Sequence, residues 1–157
     1  MKNGIIIGAG IGGLTTAIAL AQKGISVKVY ERANEIKEVG AGIWVAPNGM
    51  KIFEKLGIVQ DMVNAGKTLK EISVVDMNYK PISTILDEDF KSKYKYGTVA
   101  IHRAKLQKVL ASYIPSENIF LNKSFKSYKQ TETSIIAAFE DDTFAEADFL
   151  INADRIK

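Results

Sequence analysis

The sequence lacks several of the residues on which protein chemistry often depends. Its 157 residues include no cysteine, one histidine, one tryptophan and three prolines. Without cysteine the chain has no disulfides, no thiolate metal ligands and no cysteine nucleophile. No stretch approaches the ~20 apolar residues of a membrane helix. The apolar run at residues 5–7 is also too short for a signal peptide. We therefore expect a cytoplasmic protein that does not associate with membranes.

The charge balance gives little sign of a nucleic-acid partner. There are 21 Lys and Arg residues against 18 Asp and Glu residues, a formal net charge of +3 that is spread along the chain. The densest basic stretch is residues 91–95, in which Tyr94 is interleaved, and it is followed by Tyr96. Because acidic residues 87–89 lie just upstream, the stretch is predicted to be a solvated loop, and no nucleic acid is expected to bind.

Length and composition indicate one soluble globular domain. Hydrophobic residues make up 46% and charged residues 25%, both ordinary values for this class of protein. No repeat, low-complexity tract or linker divides the chain. We therefore expect a single domain over residues 1–157.

The first 30 residues predict a βαβ unit. Residues 5–7 are a short apolar run between two glycines, which indicates a strand buried on both faces. Residues 13–23 predict a helix that stops at Gly24, and residues 25–30 alternate apolar and polar, as in a second strand. Strand, helix and strand within 30 residues make a βαβ unit.

The rest of the chain predicts a mixture of short elements. Residues 33–46 are predicted to be a loop, and the helix that follows begins at Pro47 and is closed by Gly57. The other predicted elements are a helix at 58–65, strands at 72–77 and 81–85 with a turn near Asn78, a strand at 98–101, a helix at 103–114 and several short strands after 118, the last at 149–151.

Three glycines after the first predicted strand match the G-x-G-x-x-G fingerprint of dinucleotide-binding proteins. Gly8 would permit a tight turn, Gly10 would let a pyrophosphate approach the backbone, and Gly13 would let the helix pack closely on the sheet. The free N–H groups and the positive end of the helix would then receive the phosphates.

An acidic residue stands where such a unit needs one. Glu31 ends the second strand, 18 residues after Gly13, and can accept hydrogen bonds from an adenosine ribose while repelling the phosphate of NADP. Ala17 supplies a small residue on the sheet side of the helix. The alternative is a glycine-rich turn that binds nothing, with Glu31 as a surface charge. This unit alone leaves FAD and NAD both open, since it binds the ADP half that they share.

Later segments resemble the flavoprotein aromatic hydroxylases, a family of FAD-dependent monooxygenases that includes salicylate hydroxylase-like and zeaxanthin epoxidase-like enzymes. The segments that carry the resemblance are Glu31-Arg32, Val39-Gly-Ala-Gly-Ile43, Pro47-Asn48, Leu56-Gly57 and Ile101-His-Arg-Ala-Lys-Leu106. The resemblance implies an α/β fold, namely a Rossmann-like FAD-binding domain with a βαβ start and a mixed sheet with added antiparallel strands. It also implies a reaction in which NADH or NADPH reduces FAD and one atom of O₂ is transferred to a small aromatic compound.

The resemblance also assigns cofactor contacts. Gly8, Gly10, Gly13 and Glu31 would hold the ADP half of FAD, with Arg32 beside the adenosine. Gly40, Ala41 and Gly42 would form a loop near the flavin or its ribityl chain, and Arg103 would contact the phosphate or ribityl part. No catalytic residue and no metal ligand are implied.

Each of these later residues has a simpler interpretation. Arg32 is equally well a surface charge, Gly40 and Gly42 plain loop glycines, and Arg103 a first-turn residue of an exposed helix. His102 is interpreted as a strand-end residue rather than a general base. Trp44 is interpreted as a core or partly buried aromatic rather than a flavin contact.

The sequence departs from the family in two places. The family has an Asp-Gly motif after a late strand, whereas here Asp154 is followed by Arg155, which puts a cofactor role for Asp154 in question. The chain also ends at Lys157, before the later Gly-Asp segment and the substrate-covering sheet that the resemblance implies. We therefore expect a C-terminally truncated domain, with a frameshift or a truncated gene as the hypothesis.

Three functions follow as hypotheses. The first is an FAD-dependent monooxygenase represented by its N-terminal part. The second is a fragment that binds FAD or ADP without turnover of its own, and the third is a degenerate product with neither activity. Truncation would leave open sheet edges and apolar surface, so self-association through those edges is expected.

Overall fold

A computed structural model of the chain describes residues 2–36 and 41–154, which form two compact units. The first unit comprises residues 1–38 and 107–157, and the second comprises residues 39–106. In chain order the elements are β1 (Asn3–Ile7), α1 (Ile11–Ala21), β2 (Ser26–Tyr30), β3 (Gly42–Val45), α2 (Pro47–Lys55), α3 (Val59–Ala65), β4 (Lys67–Thr68), β5 (Glu71–Val75), β6 (Pro81–Leu86), α4 (Asp87–Tyr94), β7 (Val99–His102), α5 (Arg103–Ala111), a 3-10 turn (Ser116–Asn118), β8 (Ile119–Phe120), β9 (Phe125–Gln130), β10 (Ile135–Phe139), β11 (Phe144–Ala147) and β12 (Phe149–Asn152).

The first unit is built on a four-stranded parallel sheet in the order β12-β1-β2-β8. Helix α1 connects β1 to β2 and buries Leu14, Ala17 and Ile18. The apolar run of β1 is buried, as a central parallel strand requires. The predicted βαβ unit is therefore confirmed, with α1 beginning two residues earlier than predicted because Gly10 is its N-cap.

The antiparallel strands β9, β10 and β11 form a second sheet in the same unit, in the order β11-β10-β9. Its core joins it to the parallel sheet through Ile5, Ile7, Tyr30 and Phe139, which are all buried. The Tyr30 ring lies 4.7 Å from the Phe139 ring, measured between centroids, in a stacked arrangement. Burial raises the pKa of the Tyr30 hydroxyl. The predicted α/β fold with added antiparallel strands is confirmed.

The second unit contains an antiparallel sheet in the order β3-β7-β4, a hairpin of β5 and β6, and helices α2, α3 and α4. Its buried residues include Met50 and Phe53 from α2, Met62 from α3, and Val99 and Ile101 from β7. Helix α2 begins at Pro47, whose fixed φ suits a first helical position, and this confirms the prediction.

Two secondary-structure predictions for the second unit were wrong. Residues 42–45 form β3 rather than loop, since they pair with β7 along their whole length. Residues 91–94 lie in α4 rather than in a solvated loop. The side chain of Asp89 accepts a hydrogen bond from the Leu86 N–H at 3.1 Å, and Lys91 pairs with Asp87 one turn away at 2.5 Å. The acidic residues therefore stabilise the start of a helix instead of neutralising a loop.

Within the two described stretches, no helix combines the length and the apolar composition that crossing a membrane would require.

Candidate functional site

The loop between β1 and α1 needs a glycine at position 8. Gly8 has φ of +99°, a conformation that residues with a side chain rarely adopt. Its N–H donates a hydrogen bond to the carbonyl oxygen of Tyr30 at 2.7 Å, which fixes the loop against β2. A Cβ at Gly8 would also lie 3.0 Å from the backbone nitrogen of Asp154. The protein itself therefore requires glycine here.

The other two fingerprint glycines have different surroundings. A Cβ at Gly13 would lie 2.0 Å from the carbonyl oxygen of Gly8, so the close approach of α1 to the loop excludes any side chain. Within residues 2–36 and 41–154, and apart from its chain neighbours, a Cβ at Gly10 would meet no atom within 4 Å. The protein fold thus explains Gly8 and Gly13, while the space beside Gly10 is open to a ligand.

The start of α1 beside Gly10 is suited to an anion. The first helical hydrogen bond runs from the Leu14 N–H to the Gly10 carbonyl oxygen at 3.0 Å, so the N–H groups of residues 11–13 precede it. The first turn carries no acidic residue, and among the described residues no side chain caps it. Within the described residues, the first turn of α1 itself therefore supplies neither a carboxylate nor a side-chain cap to the positive end of the helix dipole.

Glu31 is held next to this loop by backbone groups. Its Oε2 accepts a hydrogen bond from the Ala9 N–H at 2.8 Å, and its Oε1 accepts one from the Ala33 N–H at 3.0 Å. A carboxylate has about four acceptor positions, so each oxygen retains capacity for a further donor. The carboxylate is thus oriented by the loop and can still accept hydrogen bonds from ribose hydroxyls.

Gln107 is a residue of this site that the sequence reasoning missed. Its Nε2 donates a hydrogen bond to the carbonyl oxygen of Ala9 at 2.6 Å, which ties the helix α5 to the loop. The available signal was a polar residue directly after the buried Leu106 on a helix with an apolar stripe. That signal does not distinguish a loop contact from a solvated side chain.

Asp154 lies at the same end of the sheet. The Ala153 N–H donates a hydrogen bond to the Ile7 carbonyl oxygen at 2.8 Å, which places the residues after β12 beside Gly8. The Asp154 N–H donates to Oδ1 of Asn152 at 3.1 Å. Arg155, which replaces the glycine of the family motif, lies outside the described residues.

The first unit therefore brings most of its predicted residues to one place. Gly8, Gly10, Gly13, Glu31 and Asp154 surround or adjoin the β1–α1 loop. Arg32 follows Glu31 and is exposed, which is compatible with both interpretations given to it.

The second unit brings together the remaining described candidates. The Arg103 N–H donates to the Ala41 carbonyl oxygen at 3.3 Å, and Gly42 pairs with His102 in the β3–β7 ladder. Ala41 and Gly42 are exposed, and Arg103 is half-buried. Gly40 lies outside the described residues.

The expectation for Trp44 was wrong, whereas that for the position of His102 is confirmed. Trp44 is 63% exposed on β3 and is not a core aromatic. It occupies a strand position that alternates with the inward-facing Ile43 and Val45, and so it points away from the core. His102 is half-buried and is the last residue of β7.

The sequence comparison decides which of the two open cofactors fits. The family described as FAD binding domain matches residues 2–155. The chain belongs to this family. The resemblance to flavin-dependent proteins is thereby confirmed, and FAD is the cofactor that its family binds. The open space beside Gly10, the uncapped first turn of α1 and the oriented carboxylate of Glu31 fit the ADP half of FAD.

Named relatives of this FAD-binding chain are monooxygenases. The 3-amino-4-hydroxybenzoate 2-monooxygenase of Streptomyces cremeus is 31% identical over 153 residues, which cover 96% of this chain and 39% of the relative. The FAD-dependent urate hydroxylase of Klebsiella pneumoniae is 34% identical over 151 residues, with coverage of 96% and 39%. This chain therefore spans about two fifths of the length of these relatives.

A solved structure supports the same fold. The crystal structure of Klebsiella pneumoniae HpxO complexed with FAD and uric acid matches with a TM-score of 0.85 and 28% identity, covering 95% of this chain and 38% of that one. Nearly all of this chain thus shares its fold with part of a structure that holds FAD.

Proposed function

We propose that this chain is the FAD-binding part of a monooxygenase that hydroxylates a small aromatic ring compound. The observation that carries the proposal is the open space beside Gly10 at the uncapped start of α1, in a chain that belongs to the FAD binding domain family. The names of two relatives, an aminohydroxybenzoate monooxygenase and a urate hydroxylase, both specify a planar ring as the substrate.

The first unit would hold the ADP half of the cofactor. The N–H groups of the first turn of α1 would donate to the pyrophosphate, and Gly10 would allow its close approach. Glu31 would accept from the adenosine ribose and disfavour a 2′-phosphate. Arg32 would lie beside the adenosine, and Asp154 would lie near the loop at the end of β12.

The second unit would supply contacts to the rest of the cofactor. Gly40, Ala41 and Gly42 would face the flavin or its ribityl chain, and Arg103 would donate to the phosphate or ribityl oxygens. When bound, FAD would supply the redox chemistry of a hydroxylation that consumes NADH or NADPH, in which one atom of O₂ would enter the ring and the other would leave as water. The residues of the chain would bind the cofactor, orient it and keep competing 2′-phosphorylated dinucleotides out.

A second candidate is a module that binds FAD or ADP without turnover. The observation in its favour is that the matched region is about two fifths of the length of the relatives. In both candidates we treat residues 1–157 as one FAD-binding domain. A cytoplasmic location and self-association through exposed edges stay predictions from the sequence.

Ligand selectivity and oxygen consumption test the proposal together. Calorimetric titrations are expected to give binding of FAD and ADP and much weaker binding of NADP, because Glu31 repels the additional phosphate. Binding of NADP as tight as that of ADP would contradict the assignment of Glu31.

An oxygen electrode then separates the two candidates. NADH- or NADPH-dependent oxygen uptake by the FAD-loaded chain, above that of free FAD at equal concentration, favours the monooxygenase. Retained FAD with no such uptake favours the binding module. Absence of both FAD and ADP binding contradicts both candidates.

A further inference from the structure

The hydrogen bonds of the β5–β6 hairpin show which backbone groups of β5 point away from β6. At one end of the ladder, the Asp87 N–H donates to the Lys70 carbonyl oxygen at 2.9 Å. At the other end, the Asp76 N–H donates to the Lys80 carbonyl oxygen at 2.9 Å. Because backbone groups alternate in direction along an antiparallel strand, the even-numbered residues between these ends bond to β6. The residues whose N–H and C=O groups point outward are therefore Glu71, Ser73 and Val75.

The outer edge of β5 is open to another strand. Strand β7 bonds along this side of the chain only as far as Leu69, whose N–H donates to the Thr98 carbonyl oxygen at 3.0 Å. Within residues 2–36 and 41–154, no backbone group pairs with the outward groups of β5. Val74 and Val75 are 58% and 41% exposed. An exposed row of unpaired N–H and C=O groups is a template for the addition of a strand.

The outer edge of β6 is protected by the chain itself. The outward N–H of Leu86 donates to Oδ2 of Asp89 at 3.1 Å, so it is already satisfied. Pro81, the first residue of the strand, has no N–H to offer. The register of the ladder also shifts at Ile82, which makes a bulge in β6. Proline and bulges are common features of edge strands that do not pair further. Of the two edges of the hairpin, β5 is therefore the one suited to strand addition.

The open edge of β5 can pair with itself. In an antiparallel arrangement with a two-fold axis at Ser73, Ser73 lies opposite Ser73 of a second copy, and Glu71 lies opposite Val75 of that copy. These residues all have outward backbone groups, so the residues of each pair can exchange N–H···O=C bonds in both directions. A register shifted by one residue would instead set outward groups of one copy against inward groups of the other.

The charges that flank β5 select this register. With the axis at Ser73, the exposed Lys70 lies opposite Asp76 of the second copy, and by symmetry the same pair forms at the other end. A shift by two residues keeps the hydrogen bonds and loses both ion pairs. Oδ1 of Asp76 accepts from the Asn78 and Lys80 N–H groups at 2.9 and 2.8 Å, which leaves Oδ2 for the Lys70 ammonium.

The apolar side chains of β5 match in the same register. Ile72 lies opposite Val74 of the second copy, in a pair without mutual hydrogen bonds, where Cα atoms approach to about 4.5 Å and side chains are in contact. Ile72 also pairs with Ile85 within the hairpin, so the apolar strip continues across both copies. Edge strand β9 differs, because its exposed Lys126 and Lys129 discourage pairing between copies.

We propose that two copies of this chain associate through the outer edge of β5, antiparallel about a two-fold axis at Ser73. The two hairpins then form one wider antiparallel sheet, flanked by Lys70–Asp76 ion pairs. An isolated two-stranded hairpin is only marginally stable, so each copy supplies strands that the hairpin of the other copy lacks. The association uses the second unit and requires no cofactor, so it is independent of the proposed FAD-binding function.

Sedimentation velocity of the purified chain tests the association. Between micromolar and near-millimolar concentration, the chain is expected to show a reversible equilibrium of monomer and dimer, with and without FAD. A chain that stays monomeric over this whole range would overturn the proposal.

The absence of cysteine from the chain allows the axis to be located by a single introduced thiol. In the Ser73→Cys dimer the two Cα atoms at the axis should lie about 5.5 Å apart, within the range that a disulfide spans. Mild oxidation is therefore expected to give a covalent dimer on a non-reducing gel.

Thr84→Cys is the matched control for the thiol. Thr84 is exposed, pairs with Ser73 across the hairpin and shares a side-chain hydrogen bond with it at 2.9 Å. In the proposed dimer the two copies of Thr84 are separated by three strand spacings, about 14 Å, which a disulfide cannot span. Covalent dimer from Thr84→Cys in a yield equal to or above that from Ser73→Cys would overturn the proposal.

Charge reversal tests the register. Lys70→Glu sets carboxylates against each other at both ends of the pairing, so its dimer dissociation constant should rise about tenfold. Lys80→Glu makes the same charge change at an exposed lysine of the hairpin turn and should dimerise like the parent. Equal dissociation constants for the two variants would overturn the proposal.

A mixture of variants separates pairing from any effect on folding. Asp76→Lys alone should also dimerise weakly, because lysines then face each other. When Lys70→Glu and Asp76→Lys are mixed, each ion pair of the mixed dimer joins opposite charges, so association should recover, and failure to recover in two folded variants would overturn the proposal. Far-ultraviolet circular dichroism checks the fold, and the comparison of Lys70→Glu with Lys80→Glu decides the matter if Asp76→Lys does not fold.

Discussion

Gly10 and Gly13 differ in their surroundings, so a methyl group added at one or the other should affect ligand binding and folding separately. A methyl at Gly13 meets the backbone oxygen of Gly8 at 2.0 Å, and a backbone atom cannot rotate away as a side-chain end can. A methyl at Gly10 meets no atom within 4 Å in the part of the chain that the structure describes, chain neighbours aside. Gly10 also has φ of −71° and ψ of 178°, which any residue adopts. We therefore predict that Gly13→Ala unfolds more easily and that Gly10→Ala loses the cofactor.

The expected change in the stability of Gly13→Ala is the balance of two opposing contributions to the free energy of unfolding. Alanine is preferred over glycine inside a helix by about 0.5–1 kcal/mol, so Gly13→Ala would be stabilising if the site were open. Overpacking usually costs about 1–3 kcal/mol, and a 2.0 Å contact with backbone belongs at the upper end of that range. The net loss in the free energy of unfolding is expected to be about 2 kcal/mol. For Gly10→Ala the change in stability should stay within about 0.5 kcal/mol, as for other unconstrained positions.

Urea denaturation without cofactor and FAD titration provide the assay. Gly13→Ala should lower the urea midpoint by about 1 M, and Gly10→Ala should leave it nearly unchanged. The FAD dissociation constant of Gly10→Ala should rise at least about tenfold, since the methyl occupies the side from which the pyrophosphate approaches. Unchanged FAD affinity in Gly10→Ala, or unchanged stability in Gly13→Ala, would refute the respective half of this reasoning.

Three further changes probe the contacts around the β1–α1 loop and in the turn between β10 and β11, where Asp141 lies. Glu31→Gln places an amide NH₂ against one of the two N–H groups that donate to Glu31. Calorimetry should therefore show weaker ADP binding, and urea denaturation should show a free energy of unfolding that is lower by about 1–3 kcal/mol. Parental values in both assays would contradict the hydrogen bonds described. Gln107→Met removes the hydrogen bond to the Ala9 carbonyl oxygen and should lower the free energy of unfolding by about 1 kcal/mol in the same assay. An unchanged free energy of unfolding would mean that this hydrogen bond contributes nothing to stability. Hydrogen bonds from Lys123 and Thr143 lower the pKa of Asp141 from 3.8 to about 2. The carboxylate therefore stabilises the fold above its unfolded pKa of 3.8, and that contribution is lost as the pH falls from 3.8 through about 2. The parent should accordingly be more stable than Asp141→Asn near neutral pH and lose this advantage in acid, and a difference that does not depend on pH would contradict the assignment.

The βαβ start was predictable because the apolar run and the glycines that its local backbone needs are also what a central strand of a parallel sheet requires. The run at residues 5–7 is flanked by glycines. Gly8 has a positive φ of +99°, and a Cβ at Gly13 would meet the carbonyl oxygen of Gly8, so these two requirements arise within the β1–α1 segment. Glu31 was predictable as an acid at the end of β2. Its bonds to the Ala9 and Ala33 N–H groups were not, since they depend on how the loop folds back over the strand.

Elements that depend on distant partners were harder to predict. Strand β3 is only four residues long and is stabilised by β7, which lies more than fifty residues along the chain. Helix α4 has few apolar residues, and its charged side chains suggested a loop until the contacts of Asp87 and Asp89 placed them at a helix start. Trp44 was interpreted as a core or partly buried aromatic, and only the strand pairing shows which face of the sheet it occupies.

The visible absorption spectrum of the purified chain, after incubation with FAD and removal of free cofactor by filtration, tests the central claim most directly. The account predicts that flavin absorbance stays with the parent chain and is lost from Gly10→Ala, whose fold should remain intact. A parent chain that is folded by circular dichroism and yet colourless after this treatment would contradict the claim that these residues alone bind FAD.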